Sequence, residues 1–145
     1  MLVGVDGSEQ SKRALAWALG YAQVQEAAVE AVMTVPKTDD SAETHAMKRE
    51  AEAILAAIVE AATSRLPDAT PVATEVVAGD PAVVLVNASR SADLLVLGSH
   101  GMSKISNPAL GSVSTACIRM GSCPVVVIPS GKPEPPDGGV ALAPR

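Results

Sequence analysis

Phenylalanine is absent from the 145 residues of this chain, and tryptophan and tyrosine occur once each. Any core must therefore be aliphatic, and an apolar share of 48 %, mostly alanine and valine, is enough to build one. Basic clusters are absent too, and the formal net charge is −5, which makes nucleic acid and anionic membrane poor partners. No run approaches the ~20 apolar residues that a membrane-crossing helix requires. The chain enters the strand-like Leu2-Val3-Gly4-Val5 without the charged start of a cleavable signal, so the expected location is cytoplasmic. Cysteine is scarce: Cys117 and Cys123 are expected as reduced, buried thiols, and with two distant histidines they lack the partners for a zinc site. A Walker phosphate loop is missing as well, because the sole Gly-Lys pair, Gly131-Lys132, is followed by proline.

Short apolar runs alternate with longer helical patterns, and no internal repeat is visible. Leu2–Val5 ends at Asp6 as a buried parallel strand does. Ser8 is placed to cap a helix in which Ala14, Leu15, Ala18, Leu19 and Ala22 share one face. Val29 to Val35 reads as a second strand, Lys37 to Thr44 as a polar loop, and Ala46 to Leu66 as a long amphipathic helix stopped by Pro67. Val72 to Ala78 alternates apolar and polar residues, which predicts a more exposed third strand. Asp80 is a cap with Pro81 at the first helical position, where the missing N–H costs nothing. Leu94–Leu97 and Val125–Ile128 complete five strands. The βαβα order calls for an α/β fold with a mostly parallel sheet and helices on both faces. Proline and glycine then crowd together from Ser130 onward, so residues 1–129 are expected to form one domain and 130–145 a flexible tail.

Between the fourth strand and a helical segment, Val113 to Met120, lies the pattern G-x2-G-x9-G-S, carried by Gly98, Gly101, Gly111 and Ser112. A strand that feeds a glycine-rich loop onto a helix N-terminus is suited to phosphate. Glycines let backbone N–H groups approach an anion, and the first helical turn offers unpaired donors with partial positive charge. Ser112 and Ser114 carry hydroxyls that suit either a phosphate or a helix cap. His100 and Lys104 lie in the same loop, His100 as a packing residue or a ligand, while Ser99 and Met102 offer mainly backbone groups.

These residues resemble the ATP-binding branch of the universal stress proteins, which the same four-position pattern marks. The likeness extends to Val3-Gly4-Val5-Asp6-Gly7-Ser8 at the opening strand and turn, to Gly79-Asp80-Pro81-Ala82 before a helix, and to Ser122-Cys123-Pro124-Val125-Val126-Val127-Ile128-Pro129 at the final strand. The resemblance implies a Rossmann-like, adenine nucleotide alpha hydrolase-like sheet in the order 3-2-1-4-5. In such a sheet the ligand sits at the switch point between the first and fourth strands, where Asp6 and Gly98 lie.

The resemblance further implies ATP as ligand, with Asp6 near the ribose and the metal-bound phosphates and therefore a Mg²⁺ contact. A carboxylate beside a triphosphate needs a cation or a hydroxyl between them. It implies that the backbone of Val35 reads the adenine edge, that Ala78 and Gly79 are candidates to line the base pocket, and that Gly98, Ser99, Gly101, Met102, Lys104, Gly111, Ser112, Val113 and Ser114 surround the phosphates. Many relatives carry arginine where this chain has Met102, which leaves Lys104 as the fixed cation of the loop. Relatives often pair through the last strand, so a homodimer through Val125, Val126, Val127 and Ile128 is expected. The expected function is a stress-response protein whose nucleotide state modulates partner contacts. A slow ATPase or autophosphorylating protein, and an interaction module without ligand, are the alternatives; the chain lacks an arginine finger and has no evident general base beyond Asp6.

Overall fold

The computed structural model describes residues 1–66, 71–101 and 110–130. Pro67, the loop residues Met102 and Lys104, and the tail from Gly131 onward lie outside the described residues. Strand β1 (Leu2–Gly4) leads to helix α1 (Glu9–Gln25), β2 (Val29–Val35), α2 (Ser41–Thr63), β3 (Val72–Ala78) and α3 (Pro81–Ala88). A short 3₁₀ turn (Ser89–Ser91) precedes β4 (Leu95–Gly98), α4 (Ser112–Met120) and β5 (Val125–Ile128).

The strands form one parallel sheet in the order β3-β2-β1-β4-β5, with Val3 facing Ala31 on one side and Val96 on the other. The order and the alternation of helices are those expected. Alternate residues of each strand feed different halves of the core. On one face Val3, Val5, Val29, Ala31, Met33, Val35 and Val96 pack with Leu15 and Leu19 of α1 and Ala51 and Leu55 of α2. On the other, Leu2, Val32, Leu95 and Leu97 pack with Leu85 of α3 and Cys117 of α4. β1 and β4 are buried from both sides, which is why they read as continuous apolar runs. β3 lies at an edge and exposes Ala73, Thr74 and Glu75.

Local chemistry sets the helix ends. The Ser8 hydroxyl accepts the Ser11 N–H at 3.2 Å and caps α1, while Asp80 accepts the Val83 N–H at 3.1 Å and caps α3 ahead of Pro81. Helix α2 begins five residues before the expected Ala46. The cause is Asp40, whose carboxylate accepts the N–H groups of Ala42 and Glu43 at 2.8 and 3.3 Å. Its polar first turn is a solvent-facing helical turn rather than a loop.

The single tryptophan and the single tyrosine take no part in the core. Trp17 and Tyr21, one turn apart on α1, stack with ring centroids 5.0 Å apart and stay 38 % and 41 % exposed.

One buried hydroxyl joins distant segments. Ser89 is fully buried; its Oγ donates to the Val86 carbonyl at 2.6 Å and accepts the Ser122 N–H at 2.9 Å, which ties the end of α3 to the turn before β5. Ser89→Ala strands that N–H, and the expected loss is about 1–3 kcal/mol. The check is the urea midpoint at constant slope; an unchanged midpoint would show that the joint carries no stability.

Candidate functional site

Strands β1 and β4 are neighbours, yet α1 leaves toward one face of the sheet and α4 packs on the other. The chain therefore diverges at their carboxyl ends and leaves an open cleft. Gly4, Val5 and Asp6 from the end of β1, Leu97 and Gly98 from β4, and Gly111 to Ser114 from the start of α4 line it.

The polar end of the cleft is built around the glycines. The Gly111 N–H donates to the Ser99 carbonyl at 2.7 Å, so the two ends of the loop that begins after β4 are brought together. The Ser99 N–H donates to Ile128 at 2.9 Å, and the Ser114 hydroxyl donates to the Gly98 carbonyl at 2.7 Å. These three bonds fix the frame. A β-carbon built on Gly111 would lie 3.2 Å from the Ser99 oxygen and 3.4 Å from the His100 Cα, and one on Gly101 would lie 2.5 Å from Asp6 Oδ2. A side chain at position 101 would have to push the Asp6 carboxylate aside, and one at position 111 would need the loop backbone to give by a few tenths of an ångström.

Gly111 is also the residue that caps α4, and among the described residues no side chain caps this helix. The N–H groups of its first turn, Ser112 to Ser114, have no carbonyl within the helix to serve and line the cleft. The helix therefore offers an anion several donors and the positive end of its dipole.

Asp6 reaches the same space. Its Oδ1 accepts the Ser8 N–H at 2.9 Å and the Ser8 hydroxyl at 2.5 Å, which braces the start of α1, while its carboxylate remains exposed at the cleft. Among the described residues no group of three or more His, Cys, Asp or Glu converges on one point. Asp6 thus suits a hard cation completed by phosphate and water oxygens, the usual manner of Mg²⁺, rather than a cation caged by protein. His100 lines the cleft, with Nδ1 3.2 Å from Ser99 Oγ.

Of the residues expected at the site, Asp6, Gly98, Gly101, Gly111, Ser112, Val113 and Ser114 share this cleft. Ser99 lies beneath it, buried, with its hydroxyl accepting the Ser130 N–H at 3.1 Å. Val35 stands apart from the lining: its side chain packs in the α1/α2 half of the core and its carbonyl accepts the Gly79 N–H at 2.9 Å. Ala78 and Gly79 also stand outside the lining, whereas Met102 and Lys104 lie outside the described residues.

The far end of the cleft was not anticipated. There Gly4, Val32, Thr34, Pro81, Leu85 and Leu97 form a mainly apolar wall. The two-residue period of β2 carries the signal that finds it. Val35 shares the face of Ala31 and Met33, so the alternate residue Thr34 points with Val32 toward α3.

The cysteines stay apart from this chemistry. Cys117 and Cys123 are free, and burial pushes both thiols upward, Cys117 further under the charge of Cys123. Both are thus kept as neutral thiols rather than nucleophilic thiolates. No helix among the described residues is long and apolar enough to cross a membrane.

Compared with known proteins, residues 1–129 match the model of the universal stress protein family. A universal stress protein of Mycobacterium tuberculosis is 40 % identical over 135 residues, an alignment that covers 88 % of this chain and 44 % of the relative. The chain spans about half the length of the curated relatives it matches. Among solved structures, a universal stress protein in complex with cAMP is 28 % identical, with a TM-score of 0.71 over 88 % of this chain and 94 % of that one. A universal stress protein from Lactobacillus plantarum is 26 % identical, with a TM-score of 0.69 and the same coverage.

Proposed function

The chain belongs to the universal stress protein family, and from that premise we propose that it is a cytoplasmic ATP-binding regulatory protein whose nucleotide state alters its contacts with partners. The observation that carries this reading is the convergence of Gly101, Gly111 and the glycine-capped start of α4 on one cleft with the Asp6 carboxylate. The cleft has a polar end for phosphate and an apolar end for a base. The related structure that holds cAMP supports an adenine nucleotide as the ligand class.

In this reading the backbone N–H groups of Ser112, Val113 and Ser114 receive phosphate oxygens, and Asp6 holds Mg²⁺. When bound, the cation offsets the charge of the phosphates beside that carboxylate. The Ser114 hydroxyl already donates to Gly98, so its part is to hold the frame. Each anion–helix contact contributes about 0.3–1 kcal/mol and micromolar affinity needs about 8 kcal/mol. Phosphate contacts alone fall short, and the base must supply part of the affinity.

The test is thermal unfolding with and without Mg-ATP. At about 100 times Kd the ligand adds roughly 2.7 kcal/mol, and at about 2–4 °C per kcal/mol the midpoint rises by about 5–11 °C. No rise at millimolar Mg-ATP overturns the nucleotide reading and favours a ligand-free interaction module.

A homodimer through β5 belongs to the same proposal. Among the described residues β5 pairs with β4 on one side only, and its four residues are half-buried. Val126 and Ile128 pack against the α1/α2 half of the core and Val125 against the other half, so Val127 is the position to probe without cutting into either. Val127→Lys is expected to elute from a sizing column as a monomer, and an elution volume equal to that of the unaltered protein would sink the dimer.

A further inference from the structure

We infer that Thr34 is the polar anchor for the heterocyclic base at the apolar end of the cleft. The inference rests on the nucleotide reading above and assigns to one side chain the contact that reading lacks.

Thr34 is half-buried and lines the cleft beside Val32, Leu85 and Leu97. For packing alone valine would serve, since it has the same shape without the hydroxyl. No hydrogen bond joins the Thr34 hydroxyl to another described residue, so the fold has no evident use for it. A hydroxyl set in an apolar wall is costly to leave unpaired once water is displaced, and it therefore favours a ligand that brings a donor or acceptor to that point.

The position in the sheet says which part of a nucleotide this is. The phosphate-binding glycines follow β4, Thr34 belongs to β2, and β1 lies between them. Two strand spacings separate β4 from β2 by about 9–10 Å across the sheet. A sugar bridges that span and leaves the base over the end of β2, against Pro81 and Leu85 of α3. Gly4 lets Leu97 and Leu85 close over β1 at this end, because a β-carbon there would lie 2.6 Å from Leu97 Cδ2 and 3.1 Å from Leu85 Cδ1. A flat ring fits against these leucines, and the hydroxyl meets its edge. A threonine hydroxyl both donates and accepts, so it matches either a ring nitrogen or an exocyclic amino group.

The experiment is calorimetric titration of the full chain with Mg-ATP and with Mg-ribose 5-triphosphate, which lacks the base, for wild type, Thr34→Val and Thr34→Ser. Thr34→Val is expected to weaken ATP by about 3- to 10-fold, the range of one net hydrogen bond. Thr34→Ser restores it, and the base-free ligand binds wild type and Thr34→Val equally, however weakly. Unchanged ATP affinity in Thr34→Val overturns the assignment and leaves the nucleotide reading standing, as does an equal loss for both ligands. If wild type binds neither, both fall together.

Discussion

Alanine in place of Gly98 is expected to lower the melting midpoint by about 4–12 °C, whether or not nucleotide is present. Gly98 is the last residue of β4 and lies directly against α1. A β-carbon built there would sit 2.8 Å from Gln10 Cβ, 2.9 Å from its carbonyl carbon and 3.1 Å from its carbonyl oxygen. Two of those atoms are helix backbone and cannot swing aside. To make room, α1 must move off the sheet, although Leu15 and Leu19 hold it there with no more than 1 % of their surface exposed. Overpacking of this kind costs about 2–3 kcal/mol, which at about 2–4 °C per kcal/mol gives the range above. The first glycine of the loop motif is thus a condition for helix–sheet contact before it is anything to a phosphate. A Gly98→Ala protein that melts with wild type would show that α1 yields more easily than its packing implies.

Valine at position 111 is expected to do the reverse: to erase the rise of about 5–11 °C brought by Mg-ATP while it lowers the ligand-free midpoint far less than Gly98→Ala does. Gly111 has φ −62° and ψ 161°, a backbone conformation open to any residue, so valine introduces no torsional strain. Its branched side chain instead meets the Ser99 carbonyl and the His100 backbone, which lie 3.2 and 3.4 Å from the β-carbon position. Those are the atoms that close the loop through the Gly111–Ser99 hydrogen bond. Pushing them apart shifts the first turn of α4 relative to Asp6 and leaves both halves of the core untouched. Melting curves of the two variants with and without nucleotide separate the cases. A Gly111→Val protein that still gains the full rise would remove this loop from the proposed site.

The contrast marks how far the sequence could be read. The strands were legible because β1 and β4 are buried on both sides and so carry unbroken apolar runs, and β2 departs from one only at Glu30 and Thr34. The glycine spacing, the strand before it and the helix after it located the cleft. The start of α2 was obscured because Ser41 to His45 hold four polar residues and one alanine and mostly face solvent, a composition that serves a loop equally well; the informative residue was the cap, Asp40. The separate duties of Gly98 and Gly111 were illegible for another reason. They depend on contacts with Gln10 and with Ser99 that only the folded chain brings together. Thr34 stood one residue from the expected Val35, and the choice between them was a question of which face of β2 looks toward α3.

The stacked pair on α1 has a practical corollary for spectroscopy. With no phenylalanine, and with Trp17 and Tyr21 both on the outer surface, the interior is nearly transparent in the near ultraviolet. Indole emission from the native protein already comes from a partly hydrated ring, so unfolding changes its colour only slightly, and quenching by acrylamide is efficient before any denaturant is added. What the emission does report is the separation of Trp17 from Tyr21, a local fraying of one helix that can precede collapse of the sheet. Loss of the core is visible instead in the amide band at 222 nm, and a lag between the two signals would measure how independently α1 comes loose.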